Sequence, residues 1–194
     1  IDFTLPEAVP ENLAAVVRAG IPWVIGITGL DAARNAQIRK ASERLPVLVA
    51  PNMSLAVNLL FGLADRAAAS LPADYDVEIL EAHHRHKADA PSGTALRLGE
   101  IVAGSRGGTL AEQAVYGRLG KSDGRGAGTI GFSSLRGGDI VGEHHVLFAG
   151  TGETLELVHR TTDRMTFAYG ALAAARWLVG RPPGLYGMSD VLGL

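Results

Sequence analysis

Apolar and polar residues follow one another along the first half of the chain in a pattern typical of alternating strands and helices. The spacing predicts a helix over residues 7–19 that ends at Gly20, followed by a short buried strand over residues 23–27. Alternating strands and helices indicate a parallel sheet with helices on its faces. The remaining predicted elements of this half are a helix from Asp31 to about Glu43, a strand over residues 45–50 and a long helix from Ser54 to about Leu71.

The second half has a different pattern, because three strand-like runs follow one another without helices between them. They cover residues 129–136, 140–149 and 154–162, and they predict an antiparallel or mixed sheet. The fold class is therefore α/β, with a partial dinucleotide-type unit followed by an α+β unit and a break near residues 51–55. Four segments complete the prediction: a strand over residues 75–83, a helix over residues 92–102, a mostly loop segment over residues 104–128 and a last helix over residues 163–179.

The amino-acid composition indicates a globular protein and excludes some kinds of chemistry. The 194 residues are 47% hydrophobic and 20% charged, which is typical of a folded globular protein. The net charge of −2 gives no indication of a nucleic-acid or membrane partner. The sequence has no Cys, which excludes disulfides and thiolate chemistry and fits a cytoplasmic location.

The first residues read as a strand already in progress. Ile1-Asp2-Phe3-Thr4 contains no initiator Met and no leader pattern. We therefore interpret the sequence as beginning inside a longer reading frame.

A dense group of basic side chains follows the strand predicted over residues 75–83. Three of the six His and one of the three Lys fall within residues 83–87. Ser92-Gly93-Thr94 then reads as the start of a helix, whose amide groups and dipole favour an anion. Together with Lys87 and a titratable His, this window predicts an anion-binding site with a source of protons.

Three simpler interpretations of the same window remain open. Ser92-Gly93-Thr94 is also an ordinary helix cap. His83, His84 and His86 would form a metal site if further ligands came from elsewhere in the chain. A solvated polar loop is the third alternative.

The string Glu81-Ala82-His83-His84-Arg85-His86-Lys87-Ala88-Asp89-Ala90-Pro91-Ser92-Gly93-Thr94-Ala95 resembles the signature of the 4-hydroxy-tetrahydrodipicolinate reductase (dihydrodipicolinate reductase) family. The resemblance covers essentially the whole chain, and its further segments occur in the family's order. These segments are residues 1–4, 26–29, 50–54, 128–132, 136–144 and 164–168.

This resemblance implies an NADH- or NADPH-dependent oxidoreductase of the diaminopimelate and lysine pathway, whose substrate is a cyclic dicarboxylate. It implies that His83 is the catalytic proton donor or acceptor and that Lys87 is a proton donor. It also implies that His84, Gly93 and Thr94 hold the substrate. No metal, nucleic-acid or membrane partner is expected.

The resemblance further implies a Rossmann-type first domain over residues 1–53, a substrate and oligomerisation domain over residues 54–165, and a C-terminal helix and tail over residues 166–194 that pack on the first domain. A homotetramer assembled through the mixed sheet is expected. The residues implied to flank the nicotinamide are Gly26, Ile27, Thr28, Ala50, Pro51, Asn52 and Met53.

The sequence departs from the family at its start, because the family begins with a Gly-rich pyrophosphate turn that would precede Ile1. We therefore expect this polypeptide to bind a pyridine dicarboxylate but to bind NAD(P)H weakly or not at all. A non-catalytic, dicarboxylate-binding and oligomerising remnant is the alternative function. The G-x-G-x-x-G pattern over residues 126–131 is interpreted as a loop entering a strand, because no helix is predicted after it. Ile27 replaces a common Thr, and Pro51 lacks a backbone donor.

Overall fold

The computed structural model describes residues 1–121 and 123–194. The strands are β1 (Trp23–Ile25), β2 (Pro46–Val49), β3 (Asp76–His83), β4 (Ala114–Tyr116), β5 (Ile130–Arg136), β6 (Gly142–Ala149), β7 (Thr154–Thr161) and β8 (Gly184–Tyr186). The helices are α1 (Val9–Ala19), α2 (Ala32–Ser42), α3 (Leu55–Ser70), α4 (Gly93–Ser105), α5 (Leu110–Gln113), α6 (Met165–Leu178) and α7 (Met188–Leu192), with a short 3-10 turn over Pro6–Ala8.

The first compact unit combines Ile1–Leu59 with Met165–Leu194. Its sheet is parallel, with the strand order β1-β2-β8, and Asp2 forms a single parallel bridge to Ile25. Helix α6 packs against β1 and β2, where Leu178 is fully buried. The predicted parallel sheet is therefore present.

Local chemistry explains why helices of this unit begin and end where they do. Asp31 accepts a hydrogen bond from the Arg34 amide at 2.7 Å, which satisfies one free donor of the first turn of α2. Gly20 ends α1 with a φ of 64°, a left-handed conformation that glycine adopts at little cost. Ser54 precedes α3, and its hydroxyl accepts from the Val57 amide at 3.3 Å.

The second compact unit covers Leu60–Arg164. Its five-stranded sheet has the order β4-β5-β3-β6-β7. Strand β3 is parallel to β5 and antiparallel to β6, so the sheet is mixed, as predicted. The core lies between one face of this sheet and the helices, and it includes Leu98 and Val102 of α4 with Ile79 and Phe148 of the strands.

The structure adds elements that the sequence pattern did not predict. The segment over residues 104–128 is mostly loop, but it also contains α5 and β4, and β8 and α7 follow the helix that was expected to be the last one. Ser122 lies outside the described residues. The G-x-G-x-x-G pattern leads into β5 and not into a helix, as expected. Within the described residues, no helix has the length and hydropathy needed to cross a membrane.

Candidate active site

The end of β3 carries two polar side chains on the buried face of the sheet. Burial alternates along the strand, so Val77, Ile79, Glu81 and His83 face the same side. The first two are fully buried in the core, whereas Glu81 is 3% exposed and His83 is 9% exposed. A buried carboxyl and a buried imidazole must find polar partners, because losing hydration is costly for both groups.

The Glu81 carboxylate finds partners on three different elements. Its Oε2 lies 2.6 Å from Nδ1 of His83. Arg136, at the end of β5, donates to both carboxylate oxygens at 2.7 Å in a bidentate pair. The backbone amide of Ser92 donates to Oε1 at 3.2 Å. Glu81 thus connects the end of β3, the end of β5 and the start of α4.

Burial and hydrogen bonding have opposite effects on the pKa of the Glu81 carboxyl. Burial alone would raise it, but the hydrogen bonds from Arg136 and His83 prevail and lower the pKa from 4.5 to about 2. The pKa of His83 is also lowered, mainly by burial and further by the charges of Lys87 and Arg136, although Glu81 opposes this shift. At neutral pH an ionised carboxylate therefore faces a neutral imidazole.

A second buried histidine lies beside the first. The rings of His83 and His144 meet edge to face with centroids 5.2 Å apart, and Nε2 of His144 lies 3.0 Å from the Ser92 hydroxyl. Burial lowers the pKa of His144 to about 3, and the neighbouring His83 contributes to the shift. His144 is thus uncharged at neutral pH. The same Ser92 oxygen caps α4 by accepting from the Ala95 amide at 3.2 Å.

Lys87 and the first residues of α4 follow His83 along the chain. The Lys87 ammonium pairs with the Asp89 carboxylate at 2.8 Å, and its side chain is 21% exposed. Gly93 and Thr94 form the first turn of α4 after the Ser92 cap. A Cβ atom added to Gly93 would have no protein atom within 4 Å, so open space lies beside this helix start.

His84 lines an open cleft with a volume of about 760 Å³. Its Nε2 lies 3.4 Å from a guanidinium nitrogen of Arg164. The other lining residues are Arg85, His86, Gly138 and Asp139.

The residues expected at the nicotinamide lie at the carboxyl ends of two adjacent parallel strands, β1 and β2. This edge is where open α/β sheets bind nucleotides, so its position fits a dinucleotide. The side chains of Ile27, Ala50 and Met53 are buried, which leaves their backbone for contacts with a ligand. A Cβ atom on Gly26 would overlap the Phe3 ring, so a larger residue at this position would have to displace that ring. The other expected residues are Thr28 and Pro51, both exposed, and the half-buried Asn52.

The structure thus brings His83, His84, Lys87, Gly93 and Thr94 to one end of the second unit, around the end of β3 and the start of α4. Within residues 1–121 and 123–194, no group of three or more His, Asp or Glu side chains is arranged to hold a metal ion. The sequence analysis missed four polar residues of this region: Glu81, Arg136, His144 and Arg164.

Two models of one protein family match the chain. A family model described as dihydrodipicolinate reductase, N-terminus, matches residues 1–53. A second, described as dihydrodipicolinate reductase, C-terminus, matches residues 56–192. Both halves of the chain are therefore similar to the same family.

Individual relatives give the same result. The chain is 58% identical to 4-hydroxy-tetrahydrodipicolinate reductase of Thiobacillus denitrificans, over 100% of this chain and 73% of that protein. It is 55% identical to the enzyme of the same name from Pseudomonas fluorescens, over 100% of this chain and 72% of that protein. A solved structure, the dipicolinate-bound dihydrodipicolinate reductase from Paenisporosarcina sp. TG-14, is similar with a TM-score of 0.80 and 29% identity, over 97% of this chain and 71% of that one.

Proposed function

Because the chain belongs to the dihydrodipicolinate reductase family, we propose that His83, His84, Lys87, Gly93 and Thr94 form the site that binds and protonates its substrate. The function of this family is the NAD(P)H-dependent reduction of 4-hydroxy-tetrahydrodipicolinate to tetrahydrodipicolinate, in diaminopimelate and lysine biosynthesis. The names of the relatives support this function for the chain. They do not favour the alternative of a non-catalytic remnant.

The observation that carries the proposed substrate site is the ion pair of Lys87 in the loop that leads from β3 into α4. The substrate is a cyclic dicarboxylate, and Lys87 already holds a carboxylate, that of Asp89, at 2.8 Å. The start of α4, where a Cβ atom at Gly93 would meet open space, suits a second carboxylate group. His84 and Arg164 line the adjacent cleft and add positive or hydrogen-bonding groups. Binding of dipicolinate, also a dicarboxylate, by the related solved structure supports this assignment.

The reduction also needs a proton, because replacing the 4-hydroxyl group of the substrate by hydrogen consumes one hydride and one proton and releases one water molecule. NADH or NADPH supplies the hydride when it is bound, and Gly26, Thr28 and residues 50–53 are proposed to flank its nicotinamide. In the second unit, Lys87 is the proposed proton donor. His83, which is neutral at physiological pH, is the proposed proton donor or acceptor beside it. The positive charge of Lys87 contributes to the lowered pKa of His83.

The outer face of the mixed sheet supports a proposal about assembly. Leu80, Leu135 and Val158 are 41%, 56% and 40% exposed, respectively. Exposed apolar side chains on a sheet favour burial against a partner. We propose that this face is the subunit interface of a homotetramer and that the enzyme acts in the cytoplasm. We also propose that residues 1–53 belong to the dinucleotide-binding domain, that residues 54–165 form the substrate and oligomerisation domain, and that residues 166–194 pack on the first domain.

The substrate site is tested by substitution in the full chain. Pyridine-2,6-dicarboxylate binding is measured by calorimetry. Turnover is measured by NAD(P)H oxidation at a saturating concentration of the dinucleotide, because weak dinucleotide binding is expected. Lys87→Ala is expected to weaken dicarboxylate binding by about tenfold or more, because a charge-assisted hydrogen bond is lost. His83→Gln is expected to lower kcat by about 10²-fold, the usual contribution of a positioned acid or base.

Two further variants make this test selective. Gly93→Val is expected to fold normally, since a side chain there meets open space, and to weaken dicarboxylate binding by filling it. Lys40→Ala, which removes a lysine of α2 in the first unit, serves as the control and should bind normally. Normal binding by both Lys87→Ala and Gly93→Val would contradict the proposed substrate site, and full turnover by His83→Gln would contradict its proton role.

A further inference from the structure

The buried carboxylate of Glu81 has a geometry that serves the histidine beside it. We propose that Glu81, held by Arg136, is a positioning residue that keeps the His83 proton on Nδ1 and leaves Nε2 as the atom that exchanges a proton or hydrogen bond with the substrate. This inference rests on the proposed function, because it takes His83 to be the residue that acts on the substrate.

The first step of the argument is the contact between Glu81 and His83. A carboxylate oxygen only accepts hydrogen bonds, and Oε2 lies 2.6 Å from Nδ1 of His83. The imidazole therefore keeps a proton on Nδ1 and donates a hydrogen bond through it to Glu81. In a neutral imidazole the other nitrogen, Nε2, then carries a lone pair.

The second step is the role of Arg136. Its two bonds of 2.7 Å, one to each carboxylate oxygen, restrict rotation of the carboxylate and so fix the direction from which Oε2 meets the imidazole. The same guanidinium donates to the backbone oxygen of Asp89 at 2.6 Å, and Asp89 pairs with Lys87. One ion pair thus orients His83 and also holds the loop that carries the proposed proton donor.

The third step is the surroundings of the imidazole. Glu81 is the hydrogen-bond acceptor for His83 on its own strand. The charges that act on the imidazole from other segments include the cations Lys87 and Arg136, and the Asp89 carboxylate is paired with Lys87. A Cβ atom at Gly142 would lie 3.1 Å from Nε2 of His83, so the glycine leaves this edge of the ring without a side chain from β6. The groups around the imidazole are Arg136 on β5, His144 on β6, His159 behind it on β7, and Lys87 in the loop after β3.

The decisive experiment reads the tautomer directly. Nitrogen-15 NMR of the histidine side chains in the unsubstituted full chain, with His83 assigned by comparison with His83→Gln, is expected to show a protonated Nδ1 and an unprotonated Nε2. Because this measurement needs no substitution at Glu81, it remains valid if a Glu81 variant fails to fold. A proton on Nε2 of His83 at neutral pH would overturn the proposal.

Substitution then tests whether Glu81 is the cause. In Glu81→Gln, loss of the negative charge is expected to lower the pKa of His83 further and to give a mixture of tautomers. We expect kcat to fall by about tenfold or more while the affinity for pyridine-2,6-dicarboxylate changes much less. Arg136→Lys, which keeps the charge, is expected to retain more turnover than Arg136→Met. Glu100→Gln, on the exposed side of α4, is the control and should change neither property.

The outcomes separate this inference from the proposed function. If His83→Gln is inactive and Glu81→Gln keeps the wild-type tautomer, His83 pKa and turnover, the positioning role is wrong and the function stands. If His83→Gln is fully active, the proton role of His83 is itself wrong. A merely structural role of Glu81 would lower stability without moving the His83 tautomer or pKa, and this result would also overturn the proposal.

Discussion

The same carboxylate should make the stability of the protein depend on pH in a defined way. Glu81 is ionised and paired in the folded state, where its pKa is about 2, compared with 4.5 for an unperturbed Glu. In the unfolded chain the pairing is lost. Replacing Glu81 by Gln removes the ionisation, so the difference in unfolding free energy between the two proteins isolates its contribution.

The expected magnitude follows from the two pKa values. A fall from 4.5 to about 2 corresponds to about 3 kcal/mol of stability at pH 7. Because the folded-state pKa is depressed, this contribution is complete above about pH 5 and is lost as the pH falls toward 2. About half of it should remain near pH 3. The Gln variant should therefore be less stable than the wild type at neutral pH, and the gap should close on acidification.

Urea unfolding from pH 7 to pH 3, followed by far-ultraviolet circular dichroism, measures this gap. Trp fluorescence is less suitable because Trp23 and Trp177 lie in the first unit, whereas Glu81 lies in the second. Glu100→Gln is the matched control, since its pair with Arg97 is more than half exposed and should contribute less than about 1 kcal/mol. A gap that stays constant between pH 7 and pH 3 would refute the reasoning.

Substitutions at two further positions test the packing and the helix capping of the first unit by urea unfolding. Gly170→Ala should destabilise it by about 1–3 kcal/mol or more, because the added Cβ would overlap the backbone oxygen of Met53; unchanged stability would show that α6 does not pack there as described. Asp31→Ala should cost about 1 kcal/mol through loss of the α2 cap, and Asp31→Asn should recover most of it; equal losses in both variants would contradict a capping role.

Local patterns in the sequence were sufficient to predict most of the elements. Asp31, Ser54 and Ser92 have cap-forming side chains, and each directly precedes the observed helix that was predicted from it. The short elements β4, α5, β8 and α7 have three to five residues each, too few for a periodic pattern to be distinguished from a loop.

The candidate site likewise contains residues that could be predicted from the sequence and residues that could not. Glu81 and His83 are two residues apart on one strand, so their shared face could have been predicted from the period of a β-strand. Arg136 and His144 could not be placed by this reasoning. They reach the site because β3 lies between β5 and β6, a strand order that depends on contacts across more than 50 residues of sequence. The pairing of Glu81 with His83 could therefore be predicted from neighbouring sequence, whereas the contribution of Arg136 and His144 depended on the strand order of the sheet.

The division of the chain into a continuous and a discontinuous unit has a consequence during synthesis on the ribosome. All strands of the second unit lie within residues 60–164, so this unit can close as soon as that stretch has emerged. The sheet of the first unit is completed later, because β2 pairs with β8 only after residues 184–186 are made. Until then the edge of β2, with its apolar Val47 and Leu48, stays open to pairing with other chains. The unit that contains the earlier-translated residues 1–59 is thus completed last, and the unpaired edge of β2 is a site of aggregation until then.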